Sequence, residues 1–172
     1  MNMELSPARR DKVLQAMKRY SSMVYRLAYA RTRSHADAED IYQEVFLKLA
    51  KADISFENQE HVKAWLLRVT VNCTVNLFRS AWRRHVQTVE ALPERASVWD
   101  GDDRCEALNR ALDILPARYR AVIHLYYYEE MSVDEISAAL NTKPATIRSR
   151  LARGRERLKR ELTQSEEGNP NV

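Results

Sequence analysis

Glycine is nearly absent from this chain, with three residues in 172. Such a sequence is neither collagen-like nor a low-complexity polymer, and it holds no phosphate-cradling glycine loop. Cysteine is as scarce: Cys73 and Cys105 lie far apart and match no metal-binding or redox spacing. They place the chain in a reducing, intracellular compartment. No apolar run approaches the ~18 residues that cross a bilayer. The first residues, MNMELSPARRDK, lack the apolar core of a signal peptide. A cytoplasmic protein with no membrane insertion is expected. The histidines His35, His61, His85 and His124 are scattered, no HExxH occurs, and no acid pair stands beside a histidine. The expectation is therefore no metal, no cofactor and no enzymatic activity.

What is present is apolar and charged. Hydrophobic residues make up 45% and charged residues 30%, with a mean hydropathy of −0.55, the balance of a soluble, helix-rich protein. The formal charge is only +4, but it is unevenly spread. Between Lys143 and Leu162 eight Lys or Arg stand against two Glu. Between Val86 and Glu106 the balance reverses, with Glu90, Glu94, Asp100, Asp102, Asp103 and Glu106 against Arg95 and Arg104. A basic C-terminal stretch after an acidic connector points to a polyanion at one end of the chain.

Nearly every periodic segment reads as helix. Residues 13–31 carry Leu14, Met17, Val24, Leu27 and Ala28 near a period of 3.6. Residues 37–52 place Ile41, Val45, Leu49 and Ala52 on one stripe, and residues 62–84 form a third, long helix. ADISFENQEH between the last two is a loop. VQTVEALPERASVWDGDDR breaks the pattern with Pro93, Gly101 and an acid cluster, and reads as a flexible linker over 86–103. Helical periodicity returns at Arg104, and Pro116 opens a helix to about Glu130. The fold class is all-α, with two small helical domains, 8–85 and 104–164, joined by that linker.

Ser132-Val133-Asp134-Glu135 is a capping box, in which serine oxygen and glutamate carboxylate satisfy each other's backbone N–H. The helix it opens ends near Leu140, Asn141 tolerates a left-handed turn, and Pro144 suits the first turn of a last helix to about Leu162. A short capped helix, a tight turn and a basic helix make a helix-turn-helix. At about 100° per residue, Ile147, Leu151, Gly154 and Leu158 share one stripe, expected to pack on Ile136, Leu140 and the helix before them. The opposite face centres on Ala145, Ser149 and Ala152, flanked by Arg148 and Arg153. Small residues there let the helix axis approach base edges in the major groove, where arginines pair with guanine or reach phosphate. Arg150, Arg155, Arg157, Lys159 and Arg160 are expected to meet phosphate or solvent.

The long third helix is apolar around most of its circumference: Val62, Leu66, Val69, Cys73 and Leu77 form one stripe, with Leu67 and Val71 beside it. It is expected at the centre of a bundle. One sector stays polar, with Arg68, Asn72, Asn76, Arg79 and Arg83 at spacings of 4, 4, 3 and 4, and Trp65 on its edge. Amides, arginines and an aromatic on one strip suit unstacked bases and phosphates, although the same pattern is also that of an ordinary solvated face.

AEDIYQEVFLKLAK followed by HVKAWLLRVTVNCTVNLFRS resembles the second domain of the extracytoplasmic-function sigma factors of bacterial RNA polymerase. LDILPARYRAVIHLYYYEEMSVDEISAALNTKPATIRSRLARGRERLKREL resembles their fourth. The resemblance runs from about residue 8 to 162, with the domains in the same order and no third domain between them. It implies a factor that binds core RNA polymerase, directs it to promoter DNA and helps open the duplex. The fourth domain would read the −35 element as duplex through Arg148, Ser149, Ala152 and Arg153, with Lys143 and Thr146 nearer the backbone. The second would read the −10 element as single strand along Trp65, Arg68, Asn72, Asn76, Arg79 and Arg83. A flipped base would enter a pocket walled by residues 55–61. The helix 37–52 matches the segment that docks on the polymerase clamp, through Asp37, Asp40, Gln43, Glu44, Phe46 and Leu47. An anti-sigma partner is also implied, with the acidic linker permitting it to clamp between the domains. Two departures stand out. Asn141 replaces the glycine frequent in the family's turn, and FENQEHVKAW lacks the glycine and arginine common before the tryptophan. A separate reading, an ordinary helix-turn-helix regulator, would require a palindromic site and a stable dimer.

Overall fold

A computed structural model describes residues 6–85 and 103–167, with side chains over 6–81 and 106–164. The regular structure of these residues is all helical: α1 (Pro7–Thr32), α2 (His35–Lys51), α3 (Gln59–His85), α4 (Asp103–Ile114), α5 (Ala117–Tyr127), α6 (Val133–Leu140) and α7 (Pro144–Glu167). The all-α class expected from the sequence is the one found. The expected linker lies outside the described residues, apart from Asp103, which opens α4. Contacts divide the chain into two compact units, one built chiefly on α1–α3 and the other on α4–α7.

In the first unit each helix packs on the other two. α1 begins at Pro7, six residues before the expected Val13. Proline suits a first turn because its missing N–H is not needed there, and the Ser6 carbonyl accepts from the Arg9 and Arg10 N–H at 2.9 and 3.0 Å. These turns carry no apolar stripe, so periodicity passes over them. α1 stops where Arg33 turns left-handed at φ 56° and its N–H returns to the Tyr29 carbonyl at 2.7 Å. Ser34 then caps α2, its hydroxyl accepting from the Asp37 N–H at 3.2 Å.

The core between them holds Val24, Leu27, Ile41, Val45, Leu66 and Leu67, each at most 2% exposed. Each such aliphatic side chain contributes about 1.5–3 kcal/mol. α3 is the central helix the sequence implied, but its buried face is shifted: Thr70 and Thr74 are fully buried, while Val62, Val69 and Leu77 are half-buried. Both threonine hydroxyls donate within the helix, to the carbonyls of Leu66 and Val71 at 2.7 Å each. That satisfies groups whose unpaired burial is costly. Arg31, also buried, donates to the Thr74 hydroxyl and ties the end of α1 to α3.

In the second unit α7 packs on α4 and α5. Buried Arg120 turns its guanidinium to the end of α4, donating to the carbonyls of Leu112 at 3.2 Å, Asp113 at 3.4 Å and Leu115. Terminal helix carbonyls lack partners in their own helix, and this arginine supplies one. α5 ends at Tyr127, three residues short of the expected Glu130; Tyr128 closes its last turn on the His124 carbonyl, and the chain turns left-handed at Glu130, φ 53°. The capping box forms as expected: the Ser132 N–H donates to a Glu135 carboxylate oxygen at 2.7 Å, and the Glu135 N–H to the Ser132 hydroxyl at 3.2 Å. α6 keeps its expected bounds, and Asn141 adopts the left-handed turn at φ 49°. α7 runs five residues beyond the expected Leu162, to Glu167.

Candidate nucleic-acid interface

The helix-turn-helix presents α7 outward. Ile147 and Leu151 are 0% and 3% exposed, and Gly154 is buried. A Cβ on Gly154 would lie 3.1 Å from Ile123 Cδ1 and 3.4 Å from Tyr119 Cβ, so α7 crosses α5 closely at this residue. Opposite that stripe, Lys143, Ala145, Arg148, Ser149, Ala152 and Arg153 are exposed, and Thr146 is half-buried. The face has the small centre and cationic flanks that a major groove admits.

Two of the exposed arginines of this helix also meet aromatic rings. Arg155 lies over Tyr126 and Tyr127 at 5.3 and 5.4 Å, and its Nε donates to the Tyr127 hydroxyl at 2.7 Å. Arg157 lies 5.4 Å above Tyr119. Both stay exposed, as a residue expected to meet phosphate or solvent would be, while their guanidiniums lie over tyrosines of their own unit. Arg118 donates to the Tyr119 hydroxyl at 3.3 Å. The Arg118 hydrogen bond chiefly, with help from Arg153, holds that phenol below its ordinary value.

On α3 the strip Arg68, Asn72, Asn76 and Arg79 is exposed along its length, and Trp65 is half-buried at its edge. The Arg83 side chain lies outside the described residues. The strip backs onto the buried Leu66, Leu67, Thr70, Cys73 and Thr74, so a packed core holds it rigid. Before it, residues 52–58 cross from α2 to α3 without regular structure. Asn58 caps α3, its side-chain oxygen accepting from the His61 N–H at 2.9 Å. Phe56 meets Trp65 edge to face at 5.9 Å. α1 reaches both ends of this loop. The Arg9 guanidinium donates to the Ala52 carbonyl, and the Tyr20 hydroxyl donates to the Gln59 carbonyl at 3.2 Å, with the Gln59 side-chain oxygen at 3.3 Å. Sequence reasoning passed over Arg9 and Tyr20, whose partners lie 43 and 39 residues away.

On α2, Asp40, Gln43, Glu44 and Leu47 are exposed and Asp37 is half-buried. Phe46 stands apart from them: it is 5% exposed and packs on Tyr42 at 5.0 Å between ring centres. Glu44 pairs with Lys48 at 2.6 Å, and Lys48 also reaches the Cys73 sulfur at 3.5 Å. The Lys48 hydrogen bond holds the Glu44 carboxyl below its ordinary value.

Comparison with known proteins agrees with both units. Residues 16–84 match the family model for sigma-70 region 2, and residues 105–158 match the one for sigma-70, region 4. The ECF RNA polymerase sigma factor SigE of Mycolicibacterium smegmatis is 35% identical over 156 residues, 84% of this chain and 59% of its own length. The chain thus spans under two thirds of that relative. The ECF RNA polymerase sigma factor SigM of Bacillus subtilis is 31% identical over 147 residues, 81% of this chain and 88% of its own. Among solved structures, the sigma factor RpoE of Bartonella quintana, crystallised with the anti-sigma factor NepR, superposes with a TM-score of 0.76. It shares 25% identity over 87% of this chain and 95% of its own.

Proposed function

The chain belongs to the extracytoplasmic-function sigma factors of the sigma-70 family, and from that membership we propose how its residues divide the work. Such a factor is not an enzyme. It binds core RNA polymerase and directs promoter-specific initiation. Residues 8–85 act as the domain that docks on the polymerase clamp and captures the −10 element. Residues 104–164 act as the domain that reads the −35 element, and residues 86–103 join the two.

The observation that carries this reading is a pair of outward strips, each backed by an apolar core of its own: Arg68, Asn72, Asn76 and Arg79 on α3, and Arg148, Ser149, Ala152 and Arg153 on α7. On α7 the exposed arginines pair with base edges or phosphates in the duplex, and Lys143 and Thr146 meet the backbone at the head of the helix. On α3 the amides hydrogen-bond the edges of unstacked bases and Trp65 offers a stacking surface, while Arg68, Arg79 and Arg83 follow the phosphates. Opening the duplex costs a few kcal/mol per extruded base, and contacts made only to the melted strand offset that cost. On α2, Asp37, Asp40, Gln43, Glu44 and Leu47 form the clamp-facing surface, with Phe46 supporting them from the core side. The protein works in the cytoplasm, and an anti-sigma partner holds it inactive until a signal releases it.

Transcription in vitro with purified core polymerase and a library of promoters tests the proposal. Initiation at defined starts that requires both the chain and the core enzyme is the expected result. Absence of promoter-specific initiation, or tight dimeric binding to a palindromic duplex without polymerase, would overturn it in favour of an ordinary helix-turn-helix regulator.

A further inference from the structure

The loop at residues 52–58 has no helix or strand to hold it, and Asp53, Ile54, Ser55, Glu57 and Asn58 are exposed. Each residue left free in a loop retains about 1–2 kcal/mol of conformational entropy. A wall that selects one base by shape needs positions good to about 0.5 Å. Something outside the loop must therefore define it, and α1 does so at both ends. Arg9 donates to the carbonyl of Ala52, where α2 hands over to the loop. Tyr20 donates to the carbonyl of Gln59, where the loop enters α3. Between them Phe56 rests on Trp65.

These anchors are well founded. Arg9 and Tyr20 belong to one continuous 26-residue helix that packs on both α2 and α3. Tyr20 is 7% exposed, so its ring is held in place by the packing around it. A phenol at its ordinary value of 10.0 already keeps its proton at neutral pH, and burial pushes this one further up. The Arg9 bond is charge-assisted and therefore among the stronger kinds.

We propose that Arg9 and Tyr20 are positioning residues for −10 base selection: they clasp the two ends of the loop at residues 52–58 and set the shape of the pocket that receives the extruded base, without touching DNA. This rests on the reading of α3 and that loop as the −10 site. A clasp that only stabilised the fold would raise or lower transcription from all promoters together. A clasp that shapes the pocket changes the ranking of bases at one position.

The test compares holoenzyme carrying the wild-type chain, Tyr20→Phe, Arg9→Gln and the double variant. Each transcribes a promoter library randomised across the −10 element behind a constant −35 element. Tyr20→Phe removes one hydroxyl and keeps the buried ring, and circular dichroism verifies that every variant retains its helices. The expected result is a preference at one −10 position that weakens roughly two- to tenfold in each single variant, the range a single hydrogen bond spans. It weakens further in the double variant, while preference at the other positions is retained. Variants as selective as the wild type, or a loss spread evenly over all −10 sequences, would overturn the clasp. A wild-type holoenzyme with no −10 preference at all would overturn the parent reading and the clasp with it. Selectivity of the wild type thus tells the two failures apart.

Discussion

Arg148 and Arg153 share the outward face of α7 but start from different surroundings. Arg153 helps, behind Arg118, to hold the Tyr119 phenol below its ordinary value, whereas no such influence is seen for Arg148. Arg148→Ala and Arg153→Ala should each cost ~1–3 kcal/mol of −35 discrimination while binding to core polymerase persists. Competition between promoters differing only in the −35 element measures this, and an unchanged preference in both variants would refute the facing of the helix. Cys73 makes a different prediction. Burial chiefly, and then the Glu44 carboxylate, push its thiol above the ordinary value of 9.0, against a smaller downward pull from Lys48. An acid whose folded pKa is raised keeps its proton in the fold. The stability it contributes is present below about pH 9 and is lost as pH rises, because the unfolded chain ionises first. In a Cys105→Ser background, a maleimide should label Cys73 slowly at pH 8 and quickly once denaturant unfolds the chain. Unfolding midpoints should fall between pH 8 and pH 10 by more than in Cys73→Ala.

At the scale of helices, termini were legible where a side chain marks them. The Ser132–Glu135 box gave α6 its start and Asn141 its end, and both stand where the sequence places them. Ser132→Ala should cost ~0.5–2 kcal/mol, read from urea unfolding of the intact chain, and a change under 0.2 kcal/mol would mean the cap contributes nothing. Boundaries were missed where the marker is weak. The first turns of α1 carry no apolar stripe, and the stop of α5 falls inside a run of three consecutive tyrosines. The exposed strips on α3 and α7 follow from 3.6-residue periodicity alone. Phe46 did not, because an apolar residue beside an acidic face reads equally well as core or as contact. Nor could the partners of Arg9, Arg31 and Arg120 be foreseen. All three bind groups placed by tertiary packing, two of them 43 residues away, and periodicity carries no information at that range.

For the whole molecule, the proposed function assigns the two units to two kinds of DNA recognition, one for paired and one for unpaired strands. Asn76→Ala should therefore weaken open-complex formation more on a duplex promoter than on one melted beforehand over the −10 element, measured by permanganate footprinting. Equal loss on both would assign Asn76 to folding or to another contact. The loop clasp has a consequence at this scale too. Both Arg9 and Tyr20 take hold of backbone carbonyls, which every amino acid provides. The side chains between them are unconstrained by the clasp and can be exchanged like type in a fixed frame. Grafting different side chains at residues 53–55 and 57, with Phe56 kept on Trp65, should rewrite which base the chain accepts while the rest of the unit folds as before, so that new promoter preferences can arise here without a new protein fold.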